Sequence, residues 1–312
     1  MILITGGGGF IGLNLARDLI DRGQEVLLVR RHSFQAPSFL TPYVDKQVKI
    51  ALGDIGELPF LYRIIKEYHV DSIIHAASLH ERTGTLYRTL KSNLDGTAEI
   101  LEAARIFGVR RVTFLSSVAV YMTTRSMETL REENDLPLES PGYISATKKA
   151  GEQICQLYAR EYKLSIPIVR PPMVWGPMYH SGLQQQHAMV ENAVAGKPTD
   201  LSQVYGERKL IYVYVRDCAK AISLVHLAPS LKHDVYNISD GESRTLADFA
   251  KAIREVIPSA QIKLGTTRSE KDPDLPPMSI ERIKEDVDFA PDYDLKRGVK
   301  AYIDWIRDGK YS

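Results

Sequence analysis

The chain begins Met1-Ile-Leu-Ile-Thr-Gly-Gly-Gly-Gly-Phe-Ile-Gly12, and this opening restricts the fold more than any other stretch. Ile2, Leu3 and Ile4 form an unbroken apolar run, the pattern of a strand covered on both faces in a parallel sheet. Glycines follow at once. Gly6 permits a tight turn, Gly9 lets backbone N–H groups approach a pyrophosphate, and Gly12 lets the next helix pack closely on the strand. Ile11, Leu15, Leu19 and Ile20 then recur at helical spacing up to Gly23. This predicts a helix over about residues 10–22 with its positive end toward an anion, followed by a second strand over residues 25–29. Such a unit predicts an α/β doubly wound parallel sheet that binds a dinucleotide.

The second strand ends Val29-Arg30-Arg31-His32. An acidic side chain at this point takes the adenosine ribose hydroxyl, whereas an arginine accommodates a 2′-phosphate. Arg30 and Arg31 therefore favour NADP, with NAD possible, unless both are solvated side chains at a strand end. A third strand is predicted over residues 47–52, closed by Gly53-Asp54-Ile55. Asp54 accepts a hydrogen bond from the adenine amino group or caps the following helix, and the two roles are compatible. A fourth strand over residues 71–77 ends in the small residues Ala76, Ala77 and Ser78, which leave room for a nucleotide. A fifth, over residues 111–115, ends in Ser116 and Ser117, hydroxyls at the edge where such sheets bind ligands.

Charge excludes other partners. A net charge of +1 over 312 residues gives no field to gather nucleic acid or an anionic membrane. No apolar run reaches membrane-spanning length and no leader precedes the first strand, so a cytoplasmic protein is expected. Cys155 and Cys218 have no metal-ligand spacing and read as small core residues; no metal is expected.

Further motifs accumulate in order: His75-Ala-Ala77, Asn93-x-x-Gly-Thr97, Ser116-Ser-x-x-Val-Tyr121, Lys148-x-x-x-Glu152, Arg170-Pro-x-x-Val-Trp-Gly-Pro177 and Val215-x-Asp217. With the glycine loop, they make nearly the whole chain resemble the extended short-chain dehydrogenase/reductase family of NAD(P)-dependent epimerases and dehydratases. The resemblance implies a Rossmann-type sheet with a smaller C-terminal α/β substrate lobe. The dinucleotide domain is expected over 1–175, completed by 208–240, and the lobe over 176–207 and 241–312. Implied cofactor contacts are Gly6, Gly9, Phe10, Ile11, Gly12, Arg30, Arg31, Asp54, Ile55, Ala76, Ala77, Ser78, Lys148 and Pro171. A homodimer is implied through the helices after Asn93 and Lys148, with Ile100, Ile154 and Leu157 either serving that seam or facing the sheet.

In that family a serine or threonine, a tyrosine and a lysine act together, the lysine four residues after the tyrosine. Residues four apart share a helix face, so the lysine holds the nicotinamide ribose and depresses the tyrosine pKa. The tyrosine then exchanges a proton with the substrate hydroxyl as hydride moves. By resemblance Ser117 is the hydroxyl and Lys148 the lysine. The position four before Lys148 is Ile144, and the nearest phenol, Tyr143, is five before. On a regular helix Tyr143 stands about 140° around the axis from Lys148. Pro141 and Gly142 precede it, so an irregular first turn is the condition under which Tyr143 is the acid/base. Tyr121, water or a substrate group are the other candidates.

Two more departures bear on the substrate. Val118 follows Ser117 where the family's dehydratases and decarboxylases carry an acid, so 4,6-dehydration is not expected. Leu210 stands seven before Asp217, where nucleotide-sugar enzymes place a diphosphate-gripping arginine. Arg208 and Lys209 are near but out of register. The expected activity is hydride transfer at a secondary alcohol or ketone carbon of a sugar-like substrate, with Ser117, Tyr121 and His180 as candidate substrate contacts. The alternatives are a nucleotide-sugar epimerase that oxidises transiently and a non-catalytic NADP-binding module. Later elements are predicted as a helix over 184–195, strands over 210–215, 235–238 and 262–264, and helices over 218–227, 243–256 and 295–307.

Overall fold

The apolar opening run becomes an interior strand of a sheet. In the computed structural model, which describes residues 1–33, 35–80, 84–123, 128–179, 184–268 and 274–309, β1 (Ile2–Thr5) pairs in parallel with a strand on each side. The chain continues through α1 (Phe10–Asp21), β2 (Val26–Arg30), β3 (Val48–Leu52), α2 (Leu58–Glu67), β4 (Ser72–His75) and α3 (Leu86–Leu90). A π-helical turn (Lys91–Asp95) leads to α4 (Gly96–Phe107), β5 (Arg111–Leu115), α5 (Tyr143–Tyr162), β6 (Ile168–Arg170) and β7 (Met173–Trp175). Then come α6 (Gln185–Val194), β8 (Thr199–Tyr205), β9 (Leu210–Tyr214), α7 (Val215–Leu227), β10 (Val235–Asn237) and β11 (Ser243–Arg244). The last elements are α8 (Leu246–Val256), β12 (Ile262–Gly265), α9 (Glu281–Val287) and α10 (Leu295–Asp308).

Seven parallel strands in the order β10-β6-β5-β4-β1-β2-β3 make the main sheet. Its inner strands are buried on both faces because helices cover both. Leu15 and Leu19 of α1 join Ile222 and Val225 of α7 on one side. Leu61, Ile64, Ile100 and Ala104 of α2 and α4 join Cys155 of α5 on the other. Strand order reverses between β1 and β4, which opens a crevice at their carboxyl ends.

The smaller lobe gathers α6, α8 and α10 around Trp175, Tyr212, Phe249 and Tyr302. Its sheets are β11-β9-β7 and β12-β8. The expected boundaries therefore shift. β7, inside 1–175, and β9, inside 208–240, pair with each other in the lobe, while α7 and β10 complete the dinucleotide domain and α9, inside 241–312, packs through Ile283 on the same core as α7. Aromatic packing of Trp175 on Tyr214 and Phe249 explains this, since it holds β7 and β9 against α8. Ser243 opens a short strand rather than a helix; Thr245 caps α8 in a reciprocal pair with Asp248. Among the described residues no helix is long and apolar enough to cross a membrane.

Candidate active site

The glycine loop is built around close backbone approach. Gly6 has a φ of 65°, and a Cβ on it would come within 3.0 Å of the Ala77 backbone at the end of β4. A Cβ on Gly12 would lie 2.5 Å from the Gly6 carbonyl oxygen. Gly9 N–H donates to that same oxygen at 2.8 Å and closes the turn. No side chain caps the N-terminus of α1, so its first amides are presented to an anion. Beneath the loop, Thr5 Oγ1 accepts from the Ala77 N–H at 3.0 Å and pairs with His75 Nδ1 at 2.7 Å, while His75 Nε2 meets Thr97 Oγ1 at 3.0 Å. Burial, with the Lys148 charge adding to it, pushes His75 down to about 3, so a neutral ring ties β1 and β4 to α4.

A cavity of about 710 Å³ starts at this loop. It brings together Gly6, Gly9, Phe10, Ile11, Gly12, Arg30, Arg31, Asp54, Ile55, Ala76, Ala77 and Ser78. Lys148 and Pro171 are not among its lining residues. The glycine cradle, the uncapped helix end and the basic rim at Arg30 and Arg31 fit a dinucleotide with its pyrophosphate at α1. Asp54 does not cap α2, whose cap position is Glu57; its carboxylate accepts from the Gly56 N–H at 3.0 Å.

Beyond Ser78 the wall consists of Leu79, His80, Ser92, Ile144, Tyr179 and Gln184, none of which the sequence reading assigned. Asn93 fixes part of it. Its amide accepts from Leu79 N at 2.8 Å, donates to Leu79 O at 2.9 Å, and donates to Thr147 Oγ1 at 3.1 Å. The cavity wall is thereby tied to α5 one residue before Lys148. The π-helical turn that carries Asn93 was a readable signal only through the Asn93-x-x-Gly motif.

At the carboxyl end of β5, half-buried Ser117 accepts from the Ala119 N–H at 3.1 Å. Lys148 is 7% exposed; its ammonium donates to Leu115 O at 2.5 Å and lies 4.9 Å from the Phe114 ring centroid. Burial pushes this amine down to about 8. The condition set for Tyr143 is not met: Tyr143 is the first residue of a regular α5, after extended Gly142, and Ala146 N already donates to Gly142 O. Ile144, and not Tyr143, lines the cavity. Tyr121 is also withdrawn from the crevice. It is 1% exposed, accepts from Arg170 Nη1 at 2.6 Å, and its hydroxyl meets Asn237 Oδ1 at 2.9 Å. Burial pushes that phenol up to about 12. Val118 is buried, its N–H donating to Pro171 O at 2.8 Å. Leu210 sits opposite Arg244 in the lobe sheet, packed against the lobe core. His180 and Ser181 lie outside the described residues.

The model of the NAD dependent epimerase/dehydratase family matches residues 2–239. UDP-glucose 4-epimerase of Lacticaseibacillus casei is 24% identical over 94% of this chain and 92% of its own length. dTDP-glucose 4,6-dehydratase of Xanthomonas campestris pv. campestris is 25% identical over 97% of this chain and 92% of its own. Among solved structures, UDP-glucose 4-epimerase of Thermus thermophilus in complex with NAD matches with a TM-score of 0.83 at 24% identity, covering 99% of both chains.

Proposed function

Because the chain belongs to the NAD-dependent epimerase/dehydratase family, we propose that it moves hydride at a secondary alcohol or ketone carbon of a sugar-like substrate, with NADP the favoured cofactor. The observation that carries this reading is the cavity itself: a glycine cradle at one end, Arg30 and Arg31 at its rim, and Ile144 in its wall one helical turn before Lys148. A bound nicotinamide dinucleotide supplies the hydride donor or acceptor. The amides of α1 hold the pyrophosphate and the arginines take a 2′-phosphate. Ser117 hydrogen-bonds the substrate oxygen. The neutral amine of Lys148 takes the hydroxyl proton on oxidation, and its ammonium returns it on reduction. Ile144 keeps the wall beside them apolar.

Relatives include a 4,6-dehydratase, so membership alone does not exclude dehydration. Val118 carries that part of the reading, since an apolar side chain moves no proton. Transient oxidation with return of hydride to the opposite face is the second reading, favoured by the similarity to a UDP-glucose 4-epimerase. Leu210 in place of an arginine weakens the case for a nucleotide diphosphate and keeps free sugars and aldonates among the candidates.

Reduction of NADP and NAD over free sugars, aldonates and nucleotide sugars, with product analysis for epimers, tests the proposal. Turnover or epimerised product that disappears in Lys148→Met is expected. Cofactor binding without either would instead make the chain a binding module.

We also propose a homodimer through α4 and α5. Ile100 does not serve it, as it is fully buried in the core behind the sheet, whereas Ile154 is only partly buried against that core. Leu157 and Tyr162 are about half exposed, at 48% and 52%, and Ile106 of α4 at 46%, which supports a seam there. Leu157→Arg is expected to sediment as a monomer where the wild type is a dimer; a monomeric wild type refutes the seam.

A further inference from the structure

Four glycines run from Gly6 to Gly9, and the scaffold accounts for three of them. Gly6 is left-handed and abuts the Ala77 backbone, a Cβ on Gly7 would meet Ile4 O and Leu28 at 2.9 Å, and Gly9 folds onto the Gly6 carbonyl at the cap of α1. Gly8 differs. Its φ is not positive, so no left-handed backbone calls for glycine there. What a Cβ there would meet is the Arg30 side chain, with Cδ at 2.1 Å, Nε at 2.4 Å and Cζ at 2.8 Å as its three nearest atoms.

We infer that Gly8 is a cofactor-specificity residue, kept bare so that Arg30 lies across the glycine loop and presents its guanidinium to the 2′-phosphate of NADP. The inference rests on the proposed preference for NADP. Arg30 leaves the last position of β2 and lines the cavity beside Arg31 and His32, whereas Gly8 is not in the lining. Gly8 therefore acts through Arg30 and not by touching the cofactor; it is a positioning residue. A methyl group at 8 displaces a flexible side chain, which the fold tolerates. The guanidinium fork, however, grips phosphate only from a fixed direction, so moving its stem removes discrimination while leaving the pyrophosphate site intact.

The test is a fluorescence titration of NADPH and NADH into wild type, Gly8→Ala, Arg30→Ala and the double variant. Gly8→Ala is expected to weaken NADPH roughly tenfold or more, the scale of a lost charge-assisted contact, and NADH less than about threefold. The double variant is expected to match Arg30→Ala alone, because Gly8 has nothing further to position. If Gly8→Ala does not fold, recovery of NADH binding in the double variant supports the inference, and failure to recover overturns it. Loss of preference in Arg30→Ala but not in Gly8→Ala overturns the role of Gly8 and leaves the NADP reading standing. No preference in the wild type overturns both.

Discussion

Ile144 changes what Lys148 must do. With a phenol one turn before it, a lysine lends its charge; with isoleucine there, no titrating side chain stands one turn before the amine on α5. Burial already pushes this amine down to about 8, which makes its neutral form available near neutral pH. The sign follows from the proton. Alcohol oxidation needs the neutral amine, so its rate is expected to rise with pH and level off above about 8, whereas ketone reduction needs the ammonium and falls over the same range. Lys148→Met is expected to lose at least about a hundredfold in kcat, the usual scale of a general base. Tyr143→Phe, which alters the first residue of α5, five before Lys148 and so off its face of the helix, is expected to stay within about twofold. Steady-state rates from pH 6 to 10 check both. A flat wild-type profile, or collapse of Tyr143→Phe, would remove the amine from its assigned role.

Helix α5 is fastened one turn beyond Lys148 by a buried ion pair. Glu152 and Arg170 meet in a double contact, Nη2 to Oε2 at 2.6 Å and Nε to Oε1 at 2.9 Å. Ser116 donates to the same carboxylate, and Arg170 reaches on to Tyr121 and so to Asn237. The network thus ties α5 to the carboxyl ends of β5, β6 and β10. Such a pair offers little over a well-packed apolar one, but leaving one charge behind costs about 3–5 kcal/mol. Glu152→Ala is expected to lose stability on that scale in urea unfolding, and Glu152→Met with Arg170→Met to lose less than the single change. A loss below about 1 kcal/mol for Glu152→Ala would deny the network its role. This network also marks where the sequence stopped being legible. β1, α1 and β5 declare themselves through local periodicity and glycines, and the pyrophosphate end of the site came with them. Tyr121 does not, because its partners Arg170 and Asn237 are 49 and 116 residues away. β7 was missed because it has three residues, and β8 because Thr199-Asp-Leu-Ser-Gln-Val-Tyr205 mixes polar residues into a lobe-edge strand. Pro141-Gly142 pointed to an irregular turn, but extended Gly142 starts a regular helix at Tyr143, a matter of tertiary docking that local sequence does not fix.

Among the described residues across the whole molecule, three histidines are buried where the neutral ring is favoured. His75 bridges the β1–β4 crevice, His187 of α6 accepts from Gly176 N–H in the lobe at 3.3 Å, and His226 of α7 meets Thr113 Oγ1 of β5 at 2.9 Å. Burial pushes them from 6.5 down to about 3, about 4 and about 3. Between 6.5 and those values the unfolded chain binds the protons and the folded chain does not, so stability is lost as pH falls through that window and is fully present above it. Asp217 works the other way. Burial raises it from 3.8 to about 6 despite hydrogen bonds from the Asp292 and Tyr293 amides, so below pH 6 the folded state holds a proton that the unfolded state has released. Glu132 and Asp240 are raised by burial too. Near pH 5 the three histidines set against Asp217 leave a net of at most about two protons, or roughly 2.7 kcal/mol per pH unit, in favour of unfolding. The unfolding free energy is therefore expected to drop between pH 6.5 and 5, and His226→Gln to flatten that slope by about one proton. Urea titrations at half-unit pH steps measure this directly. A stability that is level or rising on acidification through that range would mean that the carboxylates, and not the histidines, govern the proton balance of the fold.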